Sequence, residues 1–374
     1  MLKKFPIFFI SLVFGVWLNL AAAADVTQDV YKAKIKGIYQ IRVIDLITGN
    51  KAVIGSGFQF TADGYVATNY HVVSNAIHQP TQYRVEYINS DNKIFGLKVV
   101  DFDIIHDVTI LKTENPSAVF LPLGESASLT NGTKIFSIGN PMDLGMTIVD
   151  GIYNGLMEKS FYKKILFSGS LNGGMSGGPA VNSMGEVLGI NVATRGNAIS
   201  FLVPVEFLQS LYAKVIAQNL SGVSLTDRIE KQLKENQDAL LDKIIDSDWK
   251  EGSLGNAVVP AELSPAFKCW GSSKPGPDKM FDTSMLACST EDEIFVNSSL
   301  YTGKISYQYL WLSSDKLDPY RFYSMYERIF SRMAPFENAA ENDVENFICN
   351  TDFVMIRGKD VKSVLCAREY KDYP

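Results

Sequence analysis

Three polar residues in the first half of the chain have the side chains that nucleophilic catalysis requires: His71, Asp107 and Ser176. A serine hydroxyl is a poor nucleophile at neutral pH and needs a base within hydrogen-bond reach. We expect His71 to accept the proton of Ser176 and later to hand it to the leaving group. We expect Asp107 to hold the imidazole in the right tautomer and to stabilise the imidazolium.

Glycines surround the predicted nucleophile throughout the segment 173–178. We expect the backbone N–H groups of Gly174 and Ser176 to form an oxyanion hole, in which each donor contributes about 2.7–4 kcal/mol. A side chain at Gly174 or Gly177 would obstruct such a tight turn, because glycine reaches backbone angles that other residues avoid.

The chain has three histidines, so the base has only two rivals. His78 lies near Pro80 in a loop-like stretch, and we expect it to be solvated. His106 directly precedes Asp107, so on a strand its side chain would point to the opposite face. His71 is therefore the preferred base, by elimination as well as by context.

Two other carboxylates compete with Asp107 for the third role. Asp101 and Asp103 lie only a few residues earlier in the chain. Asp107 is preferred because it directly precedes the apolar run 108–111, which can anchor it on a buried strand.

Beyond these residues, the segment from about Gly55 to Leu208 resembles the trypsin-like domain of HtrA/Deg-type bacterial serine proteases. The motifs that carry the resemblance arrive in family order over roughly half of the chain: 55–58, 63–69, 121–126, 138–141, 185–191 and 201–205. The order His, Asp, Ser is also that of chymotrypsin-type triads. The resemblance implies a serine endopeptidase with two six-stranded antiparallel barrels and the active site in the crevice between them. His71 and Asp107 would come from the first barrel and Ser176 from the second.

Family analogy also places the residues that line the primary specificity pocket. Its base corresponds to Ser170, six residues before the nucleophile, which offers no acidic group to bind Lys or Arg. Leu171 and the run Asn191, Val192 and Ala193 are expected to line the pocket by the same analogy. The resemblance therefore predicts cleavage after small or medium apolar residues.

The chain departs from the family at two places. Met175 stands just before the nucleophile, where many HtrA-type proteins carry Asn; other trypsin-like bacterial peptidases resemble this chain in carrying Met there. We expect its side chain to point away from the site and activity to survive. The second departure is the segment 253–374, in which no carboxylate-binding loop of a PDZ domain is recognisable.

The local sequence pattern favours a β-rich fold independently. Segments 52–60, 65–68 and 83–88 read as strands separated by turns, and no long helical period precedes Val205. Many short strands with frequent turns are typical of a barrel or sandwich. The predicted fold class is mainly β: a chymotrypsin-like double six-stranded antiparallel β-barrel, followed by a helical linker and a small disulfide-bearing α+β C-terminal domain.

The N-terminus predicts export. Residues 1–24 combine a basic start, a mostly apolar core and four alanines, which is the layout of a secretory signal peptide. The rival interpretation is a membrane anchor, but the apolar stretch is shorter than the ~20 residues that usually span a bilayer. We therefore expect a periplasmic or extracellular protein with no stable membrane anchor after cleavage. The remaining predicted domains are a protease domain (25–219), a linker (220–252) and a C-terminal domain (253–374).

Composition narrows the classes of partner. The formal net charge of −6 gives no support for nucleic-acid binding. The triad mechanism needs no cofactor, and no metal-ligand cluster is visible in the sequence. The expected partner is a protein or peptide substrate, and oligomerisation is not indicated.

A charged, periodic segment at 225–249 predicts a long helix. Its apolar face is expected to hold Ile229, Leu233, Leu240, Leu241, Ile244 and Ile245. A linker helix laid on the protease domain is favoured over an oligomer contact, because the apolar spacing is too short for a convincing coiled coil.

All four cysteines lie in the C-terminal domain. An even count in an exported chain favours disulfides over a metal site, although four cysteines allow three pairings. Segments 346–356 and 361–370 read as a hairpin that places Cys349 opposite Cys366. Cys269 and Cys288 would then pair by default.

Two functional classes remain open. The first is an exported serine endopeptidase acting on unfolded or secreted proteins, with the C-terminal domain controlling access or localisation. The second is a latent or non-catalytic protein that keeps the protease fold and binds a partner through its C-terminal domain. The intact triad and the oxyanion glycines favour the first.

Overall fold

A computed structural model describes residues 26–373 except 195, 197, 218–223, 275–278, 332–338 and 357. The predicted signal peptide, residues 1–24, lies outside the described residues. Within the described part of the chain, no helix has the length and apolar character needed to cross a membrane.

Six antiparallel strands close the first barrel. They are β1 (Ile38–Asp45), β2 (Lys51–Gln59), β3 (Tyr65–Thr68), β4 (Tyr83–Ile88), β5 (Ile94–Asp103) and β6 (Val108–Lys112). Their order around the barrel is β1-β2-β3-β6-β5-β4. Closure leaves no free sheet edge and encloses a compact apolar interior.

Six further strands close a second barrel with the same relative order. They are β7 (Lys134–Gly139), β8 (Thr147–Leu156), β9 (Ile165–Phe167), β10 (Pro179–Val181), β11 (Val187–Thr194) and β12 (Ser200–Pro204). The order β7-β8-β9-β12-β11-β10 repeats that of the first barrel. The predicted pair of six-stranded antiparallel barrels is confirmed.

Successive side chains on a strand point to alternate faces of the sheet, and this alternation creates separate apolar cores. On β1, Tyr39 and Ile41 join the apolar cluster of the first barrel, whereas Ile38 joins a cluster shared by both barrels. On β7, Ile135 enters the interior of the second barrel while Phe136 faces the shared cluster. Because neighbouring residues on a strand point to opposite faces, the same strands fill each barrel and join the two barrels together.

Two short helices in the protease half were not predicted. Helix α1 (Val26–Lys34) precedes the first barrel, and α2 (Tyr70–His78) follows β3 directly. Helix α2 buries Val72, Val73 and Ile77 against the first barrel. It is only nine residues long, which is why no long helical period marks it in the sequence.

Two helices come directly after the barrels, and the second is close to the predicted segment 225–249. Helix α3 spans Val205–Ala217, and α4 spans Leu225–Ile245. On α4, Ile229 and Leu233 pack into the cluster of the first barrel, whereas Leu240 and Ile244 pack against the C-terminal segment. Helix α4 therefore lies on the protease half, as the favoured interpretation expects. Leu241 and Ile245, predicted on its apolar face, are exposed.

In the part that the structure describes, the C-terminal segment has small sheets and one helix, in agreement with the predicted α+β class. Its strands are β13 (Lys250–Leu254), β14 (Ala257–Glu262), β15 (Lys268–Lys274), β16 (Asp282–Ser289), β17 (Ile294–Phe295), β18 (Tyr301–Thr302), β19 (Ser306–Ser313), β20 (Ile348–Ile356) and β21 (Lys359–Ala367). Helix α5 (Pro319–Phe330) lies between β19 and β20.

Both disulfides join directly paired strands. Cys349 on β20 lies opposite Cys366 on β21, and the two are bonded. Cys269 on β15 lies opposite Cys288 on β16, and these are bonded as well. The hairpin argument from the sequence thus gives the pairing that the structure contains.

Candidate active site

His71 lies at the start of helix α2, immediately after β3. Its ring Nδ1 is 2.7 Å from Oδ2 of Asp107. Its backbone N–H donates to Oδ1 of the same carboxylate at 2.9 Å. One carboxylate therefore fixes both the helix start and the imidazole, and it leaves Nε2 as the ring nitrogen free to act on a substrate.

The backbone at Asp107 explains how this carboxylate reaches the helix. Asp107 has φ of +58°, in the left-handed region that Asp tolerates better than most residues. The side-chain amide of Asn69 donates to the Asp107 carbonyl at 2.7 Å. The next residue, Val108, begins the buried strand β6, so the carboxylate is anchored as the sequence argument expects.

The rival carboxylates have other partners. Asp101 forms an ion pair with Arg228 of α4 at 3.0 Å. Asp103 accepts from the ring of His106 at 2.7 Å. Neither is hydrogen-bonded to His71 among the described residues.

The environment of His71 sets its proton affinity. Burial lowers the pKa of His71, but the Asp107 carboxylate raises it through both its charge and its hydrogen bond, and the net pKa lies above the ordinary value. The side chain keeps 27% of its accessible surface, so solvent and substrate can reach it. The pair therefore favours the imidazolium that a base must form during catalysis.

Close packing requires glycine at two positions around Ser176. Gly174 has φ of +92°, and a Cβ there would overlap the carbonyl oxygen of Asn140. Gly177 has φ of +83°, and a Cβ there would overlap the backbone of Ser56. Both glycines are therefore needed for the turn that presents Ser176, the predicted nucleophile.

Two backbone amides in this turn are free to bind an oxyanion. Within the described part of the chain, neither the N–H of Gly174 nor that of Ser176 donates a hydrogen bond. The intervening Met175 is fully buried in the core of the second barrel, so its side chain points away from the turn. This arrangement can stabilise negative charge on a substrate oxygen.

Ser56 connects the first barrel to this turn. Its hydroxyl donates to the Gly174 carbonyl at 2.7 Å and accepts from the N–H of Asn140 at 2.9 Å. Its backbone N–H donates to the carbonyl of Ser176 at 2.7 Å. Sequence reasoning gave Ser56 no role in the site, although the flanking glycines at 55 and 57 are a signal of close backbone approach.

Comparison with known proteins bears on the same segment. Residues 55–190 match the family model described as the trypsin-like peptidase domain. Residues 55–190 are a trypsin-like peptidase domain. The predicted resemblance to this class of protease is therefore confirmed, and the match spans the region from the predicted base to the strand after the predicted nucleophile.

Named relatives of the peptidase domain belong to the HtrA/Deg group. The chain is 32% identical over 201 residues to the periplasmic serine endoprotease DegP of Escherichia coli K12, covering 48% of this chain and 41% of DegP. It is 32% identical over 177 residues to the chloroplastic Protease Do-like 1 of Arabidopsis thaliana, covering 43% and 39%. The matches thus span less than half the length of these relatives. The crystal structure of Deg5 covers 51% of this chain and 94% of that chain at 25% identity, with a TM-score of 0.45.

The hydroxyl of Ser176 in the peptidase domain has a partner other than the predicted base. It donates to the carbonyl oxygen of Val192 at 3.3 Å. Among the described residues, no hydrogen bond joins Ser176 to His71. Catalytic hydrogen bonds are often long or unformed in substrate-free enzymes. Transfer of its proton to His71 thus requires the hydroxyl to turn away from Val192.

The predicted specificity residues of the peptidase domain separate into two groups. Ser170 is exposed and Val192 is half-buried, so substrate can reach both. Leu171 is 5% exposed and belongs to the second-barrel core. Asn191 is fully buried, and its amide donates to the carbonyls of Ile138 and Met175. We therefore correct the expectation that Asn191 lines the substrate pocket, since its side chain holds the turn around Ser176 instead.

Ala193 was also predicted to line the pocket. Its backbone forms part of β11, but its side chain lies outside the described residues.

The structure places the other two histidines in environments that differ from the predicted ones. His78 is half-buried at the end of α2, where its ring meets the hydroxyls of Tyr70 and Tyr373 at 3.0 Å each. It was expected to be solvated, but the C-terminal segment covers it. His106 lies in the turn before β6 rather than on a strand, and it stacks on Phe207 of α3 at 3.6 Å.

Helix α4 supports the turn that carries Asp107. The Gln232 side chain accepts from the N–H of Ile104 at 2.9 Å and donates to the carbonyl of Phe102 at 3.0 Å. Sequence reasoning missed this residue, because a polar residue on a helix gives no local sign of the backbone that it will meet.

Replacement of Gly174 is expected to disable the oxyanion hole selectively. In Gly174→Ala the new Cβ would overlap the Asn140 carbonyl, and the alanine would be held at a strained positive φ. The backbone amide of residue 174 must therefore move. We expect kcat to fall by about 10²–10³-fold, the effect of losing one oxyanion donor. The matched control is Gly173→Ala, where a Cβ meets nothing within 4 Å. Equal kcat values for the two variants in a peptide-hydrolysis assay would contradict this assignment.

Proposed function

We propose that this protein is an exported serine endopeptidase that hydrolyses peptide bonds with His71, Asp107 and Ser176. The observation that carries the proposal is the His71–Asp107 pair, held at 2.7 Å, in a domain whose Ser176 turn leaves two amides unpaired. The family match of residues 55–190 supports the same activity.

The reaction begins with attack of the Ser176 Oγ on the carbonyl carbon of the substrate, while Nε2 of His71 takes the hydroxyl proton. The amides of Gly174 and Ser176 bind the resulting oxyanion. The tetrahedral intermediate collapses as His71 donates the proton to the leaving amine, which gives an acyl-enzyme. Water, deprotonated by His71, then attacks the ester carbonyl and releases the acid and free Ser176.

The proposed substrates are unfolded or secreted proteins cut after small or medium apolar residues. Ser170 supports this preference, since it is exposed and brings no carboxylate to attract Lys or Arg. A preference for Glu before the cut would need a histidine near Val192 to pair with the substrate carboxylate. Besides His71, the chain has His78 and His106. His78 contacts tyrosine hydroxyls, and His106 contacts Asp103 and Phe207, so neither is placed for that role.

The proposed location is the periplasm or the extracellular space. Residues 1–24 have the pattern of a signal peptide. The two disulfides, Cys269–Cys288 and Cys349–Cys366, are suited to an oxidising compartment. The relative DegP carries the description periplasmic.

A digest of unfolded casein and of a mixed peptide library with the purified mature protein tests the function and the preference together. We expect cleavage with Ala, Val, Leu or similar residues before the cut. Cuts mostly after Lys, Arg or Glu would overturn the specificity proposal while preserving the endopeptidase. Absence of any cut by a folded protein would overturn the activity.

The second candidate function is a latent or non-catalytic binding protein. The hydrogen bond of Ser176 to Val192, in place of one to His71, favours it. Helices and sheets that follow the barrels would then bind the partner or receive the activating signal. If the protein reacts with a fluorophosphonate only after an unfolded substrate is added, the resting active site is latent.

The pH dependence of hydrolysis follows from the pair of His71 and Asp107. Because Asp107 raises the pKa of His71, we expect kcat/KM to fall with decreasing pH through a midpoint above the ordinary histidine value. Protonated His71 cannot accept the serine proton, so activity is lost on the acid side. Measurement of kcat/KM across pH 5–9 checks this, and a midpoint at or below the ordinary histidine value would contradict it.

A further inference from the structure

The part of the chain that follows helix α4 is called the C-terminal half here. One short segment of it contacts both barrels beside the predicted base. We name residues 292–296 the bridging segment. Asp292, fully buried, accepts hydrogen bonds from the hydroxyl of Ser160 and from the N–H of Phe161, at 2.7 Å for the latter. These two residues belong to the loop between β8 and β9 of the second barrel. The same segment reaches helix α2 of the first barrel within four residues.

The contact with α2 is polar as well as apolar. The carbonyl oxygen of Val296 accepts from the Tyr70 hydroxyl at 3.0 Å and lies 3.0 Å from Nε2 of His78. The other ring nitrogen of His78 lies 3.0 Å from the Tyr373 hydroxyl. Tyr70 and His78 are the first and last residues of α2, so the C-terminal half holds the helix at both ends.

The ring of Phe295 lies next to the imidazole itself. It meets the ring of His71 edge-on, with 6.0 Å between ring centroids and 69° between planes. It also meets the rings of Tyr70 and Tyr301, at 6.4 Å and 5.3 Å. Three aromatic neighbours thus restrict where Phe295 can move, and Phe295 in turn occupies space beside the base.

We propose that Phe295 is a positioning residue for His71, so that the C-terminal half forms one wall of the catalytic site; this rests on the proposed function. Asp107 holds the imidazole from its Nδ1 side, and Phe295 limits its rotation from another side. A displacement of about 1 Å in a catalytic group can lower a rate by ~10²-fold. Phe295 therefore couples docking of the C-terminal half to the geometry of the base.

Phe295 also changes the solvation of the imidazole. Among the described residues, the charged group that is hydrogen-bonded to the His71 ring is Asp107. Phe295 is uncharged, and its ring occupies space beside the imidazole that water would otherwise fill. Exclusion of water lowers the proton affinity of a histidine, since it disfavours the charged form. Removal of the Phe295 ring is therefore expected to raise the pKa of His71.

The test compares three full-length variants with the parent. Phe295→Ala removes the ring, and Phe295→Leu restores an apolar side chain if the alanine variant folds poorly. Ile294→Ala is the matched control, because Ile294 is buried in the same short strand but makes no ring contact with His71. The measurements are kcat and KM for a peptide substrate and the NMR titration of the His71 imidazole. The chain has three histidines, and the His71 signal is the one missing in His71→Gln.

We expect Phe295→Ala to lower kcat by about tenfold or more, with little change in KM, and to raise the pKa of His71. Phe295→Leu should recover most of kcat, whereas Ile294→Ala should leave the titration of His71 as in the parent. The proposal is overturned if His71 titrates identically in the parent and in both Phe295 variants, or if Ile294→Ala shifts it equally. An inactive parent would count against the proposed function, and the titration would still decide the role of Phe295.

Discussion

Ser176→Ala is expected to lower peptide hydrolysis by about 10⁶-fold, because the covalent intermediate can no longer form. The residual rate should come from substrate binding and from the two unpaired amides at Gly174 and Ser176, which the substitution preserves. The fold should survive, since among the described residues the Ser176 hydroxyl has a single hydrogen-bond partner, the Val192 carbonyl. Initial rates of hydrolysis of unfolded casein and a short chromogenic peptide check this.

The matched control is Ser183→Ala, in the exposed turn between β10 and β11. It makes the same chemical change in the second barrel, away from the nucleophile turn. We expect parental rates from Ser183→Ala. A folded Ser176→Ala protein that hydrolyses peptides at more than a hundredth of the parental rate would show that another residue is the nucleophile.

Asp107→Asn has the second largest expected effect, a loss of about 10⁴-fold in kcat. The amide side chain of Asn would favour the wrong tautomer of His71, with the proton on Nε2 instead of Nδ1. It would also remove the charge that raises the pKa of His71, so the acid midpoint of kcat/KM should move to lower pH. Steady-state kinetics across pH 5–9 measure both effects in one experiment.

The chain offers a close control for this substitution. Asp103 pairs with His106 in the same geometry: its carboxylate accepts from the ring Nδ1 at 2.7 Å and from the backbone N–H of His106 at 3.0 Å. His106, however, stacks on Phe207 of α3. We expect Asp103→Asn to retain activity within tenfold of the parent. Equal losses in the two variants would mean that the effect of Asp107→Asn reflects stability of the turn.

Individual strands of the barrels were predictable because their information is local, whereas their closure into two six-stranded barrels was predicted from the family resemblance. Strand β4 matches the predicted segment 83–88 at both ends, since it alternates apolar and polar residues between clear turns. The position of Asp107 before β6 was predictable for the same reason. Helix α2 was missed, because nine residues with mixed apolar and polar character fit a strand or a loop equally well.

Contacts between distant parts of the chain were not predictable from local pattern. The disulfide Cys349–Cys366 could be predicted from the sequence, because it joins neighbouring strands of one hairpin. The placement of Phe295 against His71 depends on docking across more than 200 residues of sequence, for which one sequence carries no signal. For the same reason His78 was expected in solvent, whereas Tyr373 and Val296 cover it.

The most direct test of the central claim is labelling of the purified mature protein with a fluorophosphonate probe, followed by mass mapping of the modified peptide. The probe reacts with serines whose hydroxyl is activated by a base. We expect one labelled site, Ser176, and no label in the folded Ser176→Ala or His71→Ala variants. A folded parent that stays unlabelled in the presence of unfolded casein, or a label at another serine that persists in Ser176→Ala, would contradict the account.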